Sequence, residues 1–258
     1  MEAREARQAE ELPDIDDHLV REGSRAEIVE GELVMTPPAE GPHADRHAAV
    51  TYVLLAHARP GYQVGVDALV RASRTSDFAP DVSVYAFDPE TGKRLLPEIS
   101  VEVVSEQALS VPTRKARVLA KRGVRRLLFV DVERMQVSEW DRARDGWRLL
   151  AADATLDDAC LARALPIAAL LDAARADDAV VDALDARGTP ALRRIEARGR
   201  RDGLREGRRE GLLAGVIDLC EALDIALDDD RRAALSAMDA EELGAHASTI
   251  KRARAWPG

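Results

Sequence analysis

Two β-branched runs, each carrying one acid, constrain this chain more than any other feature. Pro80-Asp81-Val82-Ser83-Val84-Tyr85 opens on an aspartate, and Val101-Glu102-Val103-Val104 encloses a glutamate twenty-one positions later. A carboxylate loses hydration inside a buried sheet, so acids at such places need a partner. Side chains alternate faces along a strand. Asp81, Ser83 and Tyr85 therefore share one face of the first run, and Ser100, Glu102 and Val104 share one face of the second. If the runs are sheet neighbours, the two acids converge. Close carboxylates repel and one pKa rises, unless a counter-charge intervenes. A divalent cation such as Mg²⁺ accepts both as hard oxygen ligands. The plainer alternative is that Asp81 only begins a strand and Glu102 pairs with a nearby arginine. On the acids alone both readings stand.

The basic residues that follow favour the first reading. Between Gln107 and Val130 there is no acid, yet Arg114, Lys115, Arg117, Lys121, Arg122, Arg125 and Arg126 all fall there. On a helix from about 112 to 122, Lys115 lies on the same side as Leu119 and Arg122. It borders the apolar stripe, so its stem can run inward and carry the ammonium to the sheet. The remaining cations, chiefly Arg114, Arg117, Lys121 and Arg122, form a positive surface suited to nucleic-acid contact. Acids that hold a metal beside such a surface fit a phosphodiester substrate. A solvated basic helix face is the competing explanation, and it leaves the lack of acids unexplained.

The rest of the chain sets the organisation. Residues 1–24 form a polar lead-in with a short helix over Ile15 to Arg21. Residues 25–172 read as mixed helix and strand, an α/β (α+β) domain. Glu27 to Met35 is a hairpin turning at Glu30-Gly31. A helix runs from His43 to Arg59, and strands follow near 62–71, 80–87, 98–105, 125–132, 135–141 and 146–150. The region 173–258 is an α-helical C-terminal extension, broken near Gly188-Thr189-Pro190 and near Asp228-Asp229-Asp230. Within it Gly199, Gly203, Gly207, Gly211 and Gly215 recur every four residues. Each glycine costs a helix about 1 kcal/mol against alanine. Residues 196–211 therefore read as a solvated, frayed helical connector, with a dimerisation or partner-binding helix as the alternative, and 212–224 as a packing or oligomerising helix. A homodimer through these helices is the candidate assembly.

Composition excludes several classes. Of the 258 residues 46% are hydrophobic and 33% charged, which is a folded, soluble composition. The net charge of -10 opposes non-specific binding to nucleic acid, so any such contact must come from a local basic patch. Cys160 and Cys220 are the two cysteines, too few and too far apart for a disulfide framework, and a reducing cytoplasm is the simpler location. The charged amino terminus is no signal peptide, and no apolar run approaches the roughly 20 residues of a membrane helix. His43 and His47 stand at i, i+4, a spacing that can bind zinc, but no third ligand follows the zinc-protease pattern. No glycine-rich phosphate loop is present: Gly199 to Gly203 lacks the lysine and the hydroxyl residue.

The ordered set of pieces resembles a known family. Glu27-Ile28-Val29-Glu30-Gly31-Glu32-Leu33, a histidine-led helix, Pro80-Asp81-Val82, Val101-Glu102-Val103-Val104-Ser105, Lys115, Gly123-Val124 and a strand ending at Asp131 occur in sequence. This is similar to the Uma-two family of restriction-endonuclease-like proteins, within the PD-(D/E)XK nuclease superfamily, over about residues 25–172. The resemblance implies a restriction-endonuclease-like mixed sheet flanked by helices. It implies that Asp81 and Glu102 bind the metal, Mg²⁺ or Mn²⁺. It implies that Lys115 acts on the scissile phosphate or the attacking water, and that Glu27 joins the site. DNA is the implied substrate, with RNA the alternative. Val104 occupies the superfamily's usual lysine position, so the lysine must come from the next helix. Leu119 and Arg126-Leu127-Leu128 stand where aromatic residues are common.

Overall fold

The computed structural model describes residues 12–21, 23–36, 41–104 and 109–257. The first eleven residues of the expected lead-in, and Ser105 of the second acidic run, lie outside them. The chain forms two compact units, one reaching to Gly188 and the other running from Thr189. This division falls beyond residue 172 because the helix Ala173–Ala186 buries Ala176, Ala179, Val180 and Ala183 in the core of the first unit.

In the first unit β1 (Ala26–Val29) and β2 (Glu32–Met35) form the expected hairpin. Glu30 and Gly31 both have positive φ, as a two-residue turn matched to strand twist requires. Then come α1 (Gly41–His57), β3 (Tyr62–Val66), β4 (Val70–Ser73), β5 (Ser76–Phe78), β6 (Val82–Ala86) and β7 (Ile99–Val104). They are followed by α2 (Ser110–Arg122), β8 (Arg126–Asp131), β9 (Gln136–Asp141), β10 (Gly146–Leu149), β11 (Thr155–Leu156), β12 (Leu165–Pro166) and α3 (Ala173–Ala186). The main sheet has the order β10-β9-β8-β7-β6-β3, and a second has the order β2-β1-β5-β4. Among the described residues only β7 and β8 pair in parallel. A parallel pair needs a crossover, and α2 supplies it.

The alternation of the strands explains the layers. Val82, Val84, Ile99, Val101, Val103, Leu128 and Val130 point to one face, where Val50, Val53 and Leu54 of α1 and the buried face of α3 complete a core. Leu127 and Trp140 point the other way and pack with Ala116, Val118 and Leu119 of α2. The expected mixed sheet flanked by helices is therefore what the chain builds.

Two local expectations fail for tertiary reasons. Residues 62–71 are not one strand: β3 joins the main sheet and β4 the smaller one, with the chain turning at Asp67, whose φ is 49°. Residues Ile15 to Arg21 are not helical. Their backbone is taken by buried partners. Asp77 accepts hydrogen bonds from Leu19 N at 2.5 Å, Val20 N at 3.1 Å and His18 Nδ1 at 3.0 Å. Arg71 donates its backbone N–H to Ile15 O and a guanidinium N–H to Asp17 O.

The second unit contains α4 (Pro190–Ala222), α5 (Asp229–Ala237) and α6 (Ala240–Ala253). Val216, Cys220, Leu235, Leu243 and Ile250 form its core. Asp239 and Glu242 close a capping box at the start of α6. Residues 196–211 lie, mostly exposed, inside one uninterrupted helix of 33 residues. A Cβ added at Gly199, Gly203, Gly207, Gly211 or Gly215 would meet nothing within 4 Å. The glycines therefore serve no close approach within this chain. Gly203→Ala combined with Gly207→Ala is expected to stabilise α4 by about 1 kcal/mol per site. Urea unfolding followed by circular dichroism checks this, and a loss of stability would contradict it.

Candidate active site around the Pro80–Asp81 turn

The antiparallel register of β6 and β7 matches Val82 with Val101, Ser83 with Ser100 and Val84 with Ile99. One step further along the same register places Asp81 opposite Glu102. There the backbone ladder ends, and the Asp81 side chain takes it over: Val103 N donates to Asp81 Oδ2 at 2.6 Å. The two acids thus meet at the point where the strands diverge.

Lys115 reaches this point from α2 and is only 6% exposed. Its Nζ donates to Glu27 Oε1 at 3.0 Å and to the Ala79 carbonyl at 3.2 Å, and lies 2.9 Å from Glu27 Oε2. It stands 3.6 Å from Glu102 Oε1 and 5.5 Å from the centre of the Phe78 ring. Glu27 Oε1 also accepts from Ala79 N at 3.0 Å. Both backbone groups of Ala79 are therefore clamped, one by Glu27 and one by Lys115, and this fixes the turn that carries Asp81. The structure brings Glu27, Glu102 and Lys115 into direct ion-pair range, and it brings Asp81 to the same place through the sheet register.

The electrostatics follow from burial. Burial raises the Glu102 carboxyl, with Asp81 and Glu27 adding to the rise and Lys115 opposing it, and the pKa is pushed up to about 8. Burial alone would lower the Lys115 ammonium. The carboxylates of Glu102 and Glu27 outweigh it and raise the pKa to about 12. Glu102 Oε1 is buried without a hydrogen-bond partner. The Lys115 ammonium is its ion-pair partner at 3.6 Å, so what it lacks is a hydrogen-bond donor.

Two further residues face the same place: His47, which the family resemblance sets at a helix start near the site, and Asp67, which the sequence did not single out. His47 Nε2 lies 2.6 Å from the Asp81 carbonyl. A carbonyl only accepts, so Nε2 carries the proton and a neutral ring keeps Nδ1 as an acceptor. Asp67 donates its backbone N–H to the same carbonyl at 3.1 Å. Its carboxyl is raised by burial first, lowered by His47 and raised again by Asp81 and Glu27. Its backbone is left-handed, which aspartate tolerates better than most residues. His43 and His47 contact edge to face at 6.1 Å rather than converging on a common point.

The cations of α2 are mostly committed elsewhere. Arg114 pairs with Glu30 at 3.0 Å and Glu32 at 2.6 Å, and Arg117 with Asp145 at 2.8 Å. Arg122 donates to the Pro13 carbonyl at 2.5 Å. Lys121 is exposed and forms no ion pair among the described residues. An open cavity of about 560 Å³ lies by the start of β8, lined by Arg59, Arg125, Arg126, Glu139, Asp157 and Asp158. Its two central arginines are paired with acids. Arg125 pairs with Asp158 and Glu98, and Arg126 with Glu139. Burial would raise the Asp158 carboxyl, yet Arg125 and Cys160 N–H hold it down to about 2.

The donor set fits a small divalent cation. Glu102 Oε1 has no hydrogen-bond partner, and only Oδ2 of Asp81 is engaged in a hydrogen bond. Mg²⁺ is commonly held by one or two carboxylates, with water and substrate phosphate as its other ligands. Among the described residues no three His, Cys, Asp or Glu side chains are gathered closely enough to enclose an ion by themselves.

A model of the family described as "Uma2: Putative restriction endonuclease" matches residues 8–173. The crystal structure of "a putative nuclease belonging to DUF820 from Anabaena variabilis ATCC 29413" at 1.96 Å resolution is similar, with 18% identity and a TM-score of 0.48. The match covers 57% of this chain and 89% of that one. No curated protein matches.

Proposed function

We propose that this chain, which belongs to the Uma2 family described as "Putative restriction endonuclease", is a metal-dependent endonuclease acting on DNA phosphodiester bonds. The observation that carries this reading is the buried Glu102 oxygen, without a hydrogen bond and opposite Asp81 in the register, with the Lys115 ammonium 3.6 Å away. Asp81 and Glu102 would hold Mg²⁺ or Mn²⁺. The chemistry such an ion supplies is Lewis acidity, which acidifies water and offsets charge on the phosphate. Lys115 keeps a full positive charge at neutral pH and presents it where the attacked phosphate gains negative charge. Glu27 holds Lys115 and the Ala79 backbone in place. His47 orients the Asp81 turn through its carbonyl. Of the α2 cations, Lys121 is free to meet a phosphate, whereas Arg114 and Arg117 would first have to release their acids. A cytoplasmic location belongs to the same reading. Among the described residues no helix is long and apolar enough to cross a membrane.

One observation favours a second reading, a nucleic-acid- or protein-binding module on a nuclease fold. Lys115 already neutralises Glu27 and Glu102 by direct ion pairing, so the cluster is self-sufficient as a polar core. Nicking of supercoiled plasmid with Mg²⁺ or Mn²⁺ separates the two. Wild type is expected to nick, and Asp81→Ala and Glu102→Gln to lose at least about a hundredfold in rate, as befits residues that position a catalytic ion. Equal rates in all three proteins would reject the nuclease.

A further inference from the structure

The first two thirds of α4 carry a charge pattern that the nuclease site does not use. Between Arg193 and Gly211 there are eight arginines and four acids. At 3.6 residues per turn each position advances roughly 100° around the axis. On that projection Arg200, Arg193, Arg208, Arg201, Arg194, Arg205, Arg198 and Arg209 all fall within an arc of roughly 180°. Glu196, Asp202, Glu206 and Glu210 all fall in the remaining half, together with Gly199, Gly203 and Gly207. A sequence reading that counts charges along the chain sees them interspersed. Only the uninterrupted helix sorts them into two faces.

The arginine face is also unpartnered. Arg193, Arg194, Arg198, Arg201, Arg205 and Arg208 are exposed and make no side-chain hydrogen bond or ion pair among the described residues. Arg200 pairs with Glu196 at 3.0 Å, and Arg209 binds Glu206 and the Ser236 and Met238 carbonyls. Six free guanidinium groups on one side of a rod, in a protein of net charge -10, are costly to keep together without an anionic partner.

We propose that this part of α4 is a DNA-binding arm whose arginine face grips the phosphate backbone of a duplex. The sixteen steps from Arg193 to Arg209 span about 24 Å, or roughly seven base pairs. Guanidinium groups suit phosphate because they present paired donors and stay charged. The acidic face repels the same backbone and so fixes which side meets it. A second copy of the chain fits this face poorly. A twofold pairing would set arginine against arginine, and a head-to-tail one would not close. A lipid surface fits poorly as well, because Leu204 and Ala197 are the only apolar residues within the cationic arc and a membrane helix needs a broad apolar face.

The choice of DNA among polyanions rests on the nuclease reading, but the binding does not require hydrolysis. The test therefore uses the full-length chain in EDTA and a fluorescent 30-base-pair duplex, read by anisotropy across a salt series. Wild type is expected to bind, with the logarithm of affinity falling linearly with the logarithm of salt. A variant combining Arg194→Gln, Arg198→Gln, Arg201→Gln and Arg205→Gln is expected to lose roughly tenfold or more in affinity, with a slope shallower by about 3. A variant combining Glu196→Gln, Asp202→Asn and Glu206→Gln is expected to bind more tightly, and it decides the matter if the arginine variant loses helix by circular dichroism. An unchanged slope in both variants overturns the arm. So does equal competition by polyglutamate of matched charge, or self-association in sedimentation that the arginine variant abolishes. Failure of wild type to nick plasmid, with the salt slope intact, would remove the nuclease reading and leave the arm standing.

Discussion

Glu102→Gln is expected to stabilise the metal-free protein at pH 8 by a few kcal/mol while it abolishes nicking. The folded carboxyl is raised to about 8 from its ordinary 4.5. Between these values the folded protein keeps a proton that the unfolded chain has released. Folding then takes up a proton, so stability falls as pH rises. The contribution is fully present below about pH 4.5 and lost by about pH 8. Glutamine mimics the protonated acid and should remove the pH dependence across that window. Urea unfolding in EDTA at pH 5 and pH 8 measures it. Wild-type stability that is flat between the two would show that Glu102 is not held in a desolvated place.

Lys115→Met should have the opposite effect. Removing one partner from a buried ionic cluster typically costs about 3–5 kcal/mol, because the remaining charges are left uncompensated. Here the loss would leave Glu27 and Glu102 facing each other without the ammonium, and would release the Ala79 carbonyl that shapes the Pro80–Asp81 turn. The deficit should be larger at pH 8 than at pH 5, since protonated carboxyls no longer need the cation. Adding Glu102→Gln and Glu27→Gln to Lys115→Met should recover much of the stability without recovering activity. A single Lys115→Met variant as stable as wild type at pH 8 would mean that the cluster is not energetically coupled.

Much of this fold was legible from alternation and turn chemistry. Glu30-Gly31 announced the β1–β2 hairpin, and Gly123 ended α2 in a left-handed cap as glycine does. The run Arg126 to Asp131 read as a buried strand because its apolar residues are continuous, which suits a central strand covered on both faces. Residues 62–71 misled because β3 and β4 are each plausible strands, and only the sheet each one joins separates them. The segment Ile15 to Arg21 misled because its hydrogen bonds go to Asp77 and Arg71, more than fifty positions away.

The same division runs through the site. Sequence by itself determined that Asp81 leads into one alternating strand and Glu102 lies within another, that Lys115 borders an apolar helix face, and that Glu27 opens a hairpin, because strand and helix periods are local properties. Tertiary structure alone decided that β6 lies antiparallel to β7 in the register that opposes the acids. It also decided that Lys115 inserts between Glu27 and Glu102, and that His47 and Asp67 close on the Asp81 carbonyl. Those contacts join residues 13 to 88 positions apart, and their energies depend on burial. Neither the distances nor the desolvation that raises Glu102 exists until the sheets and helices have packed.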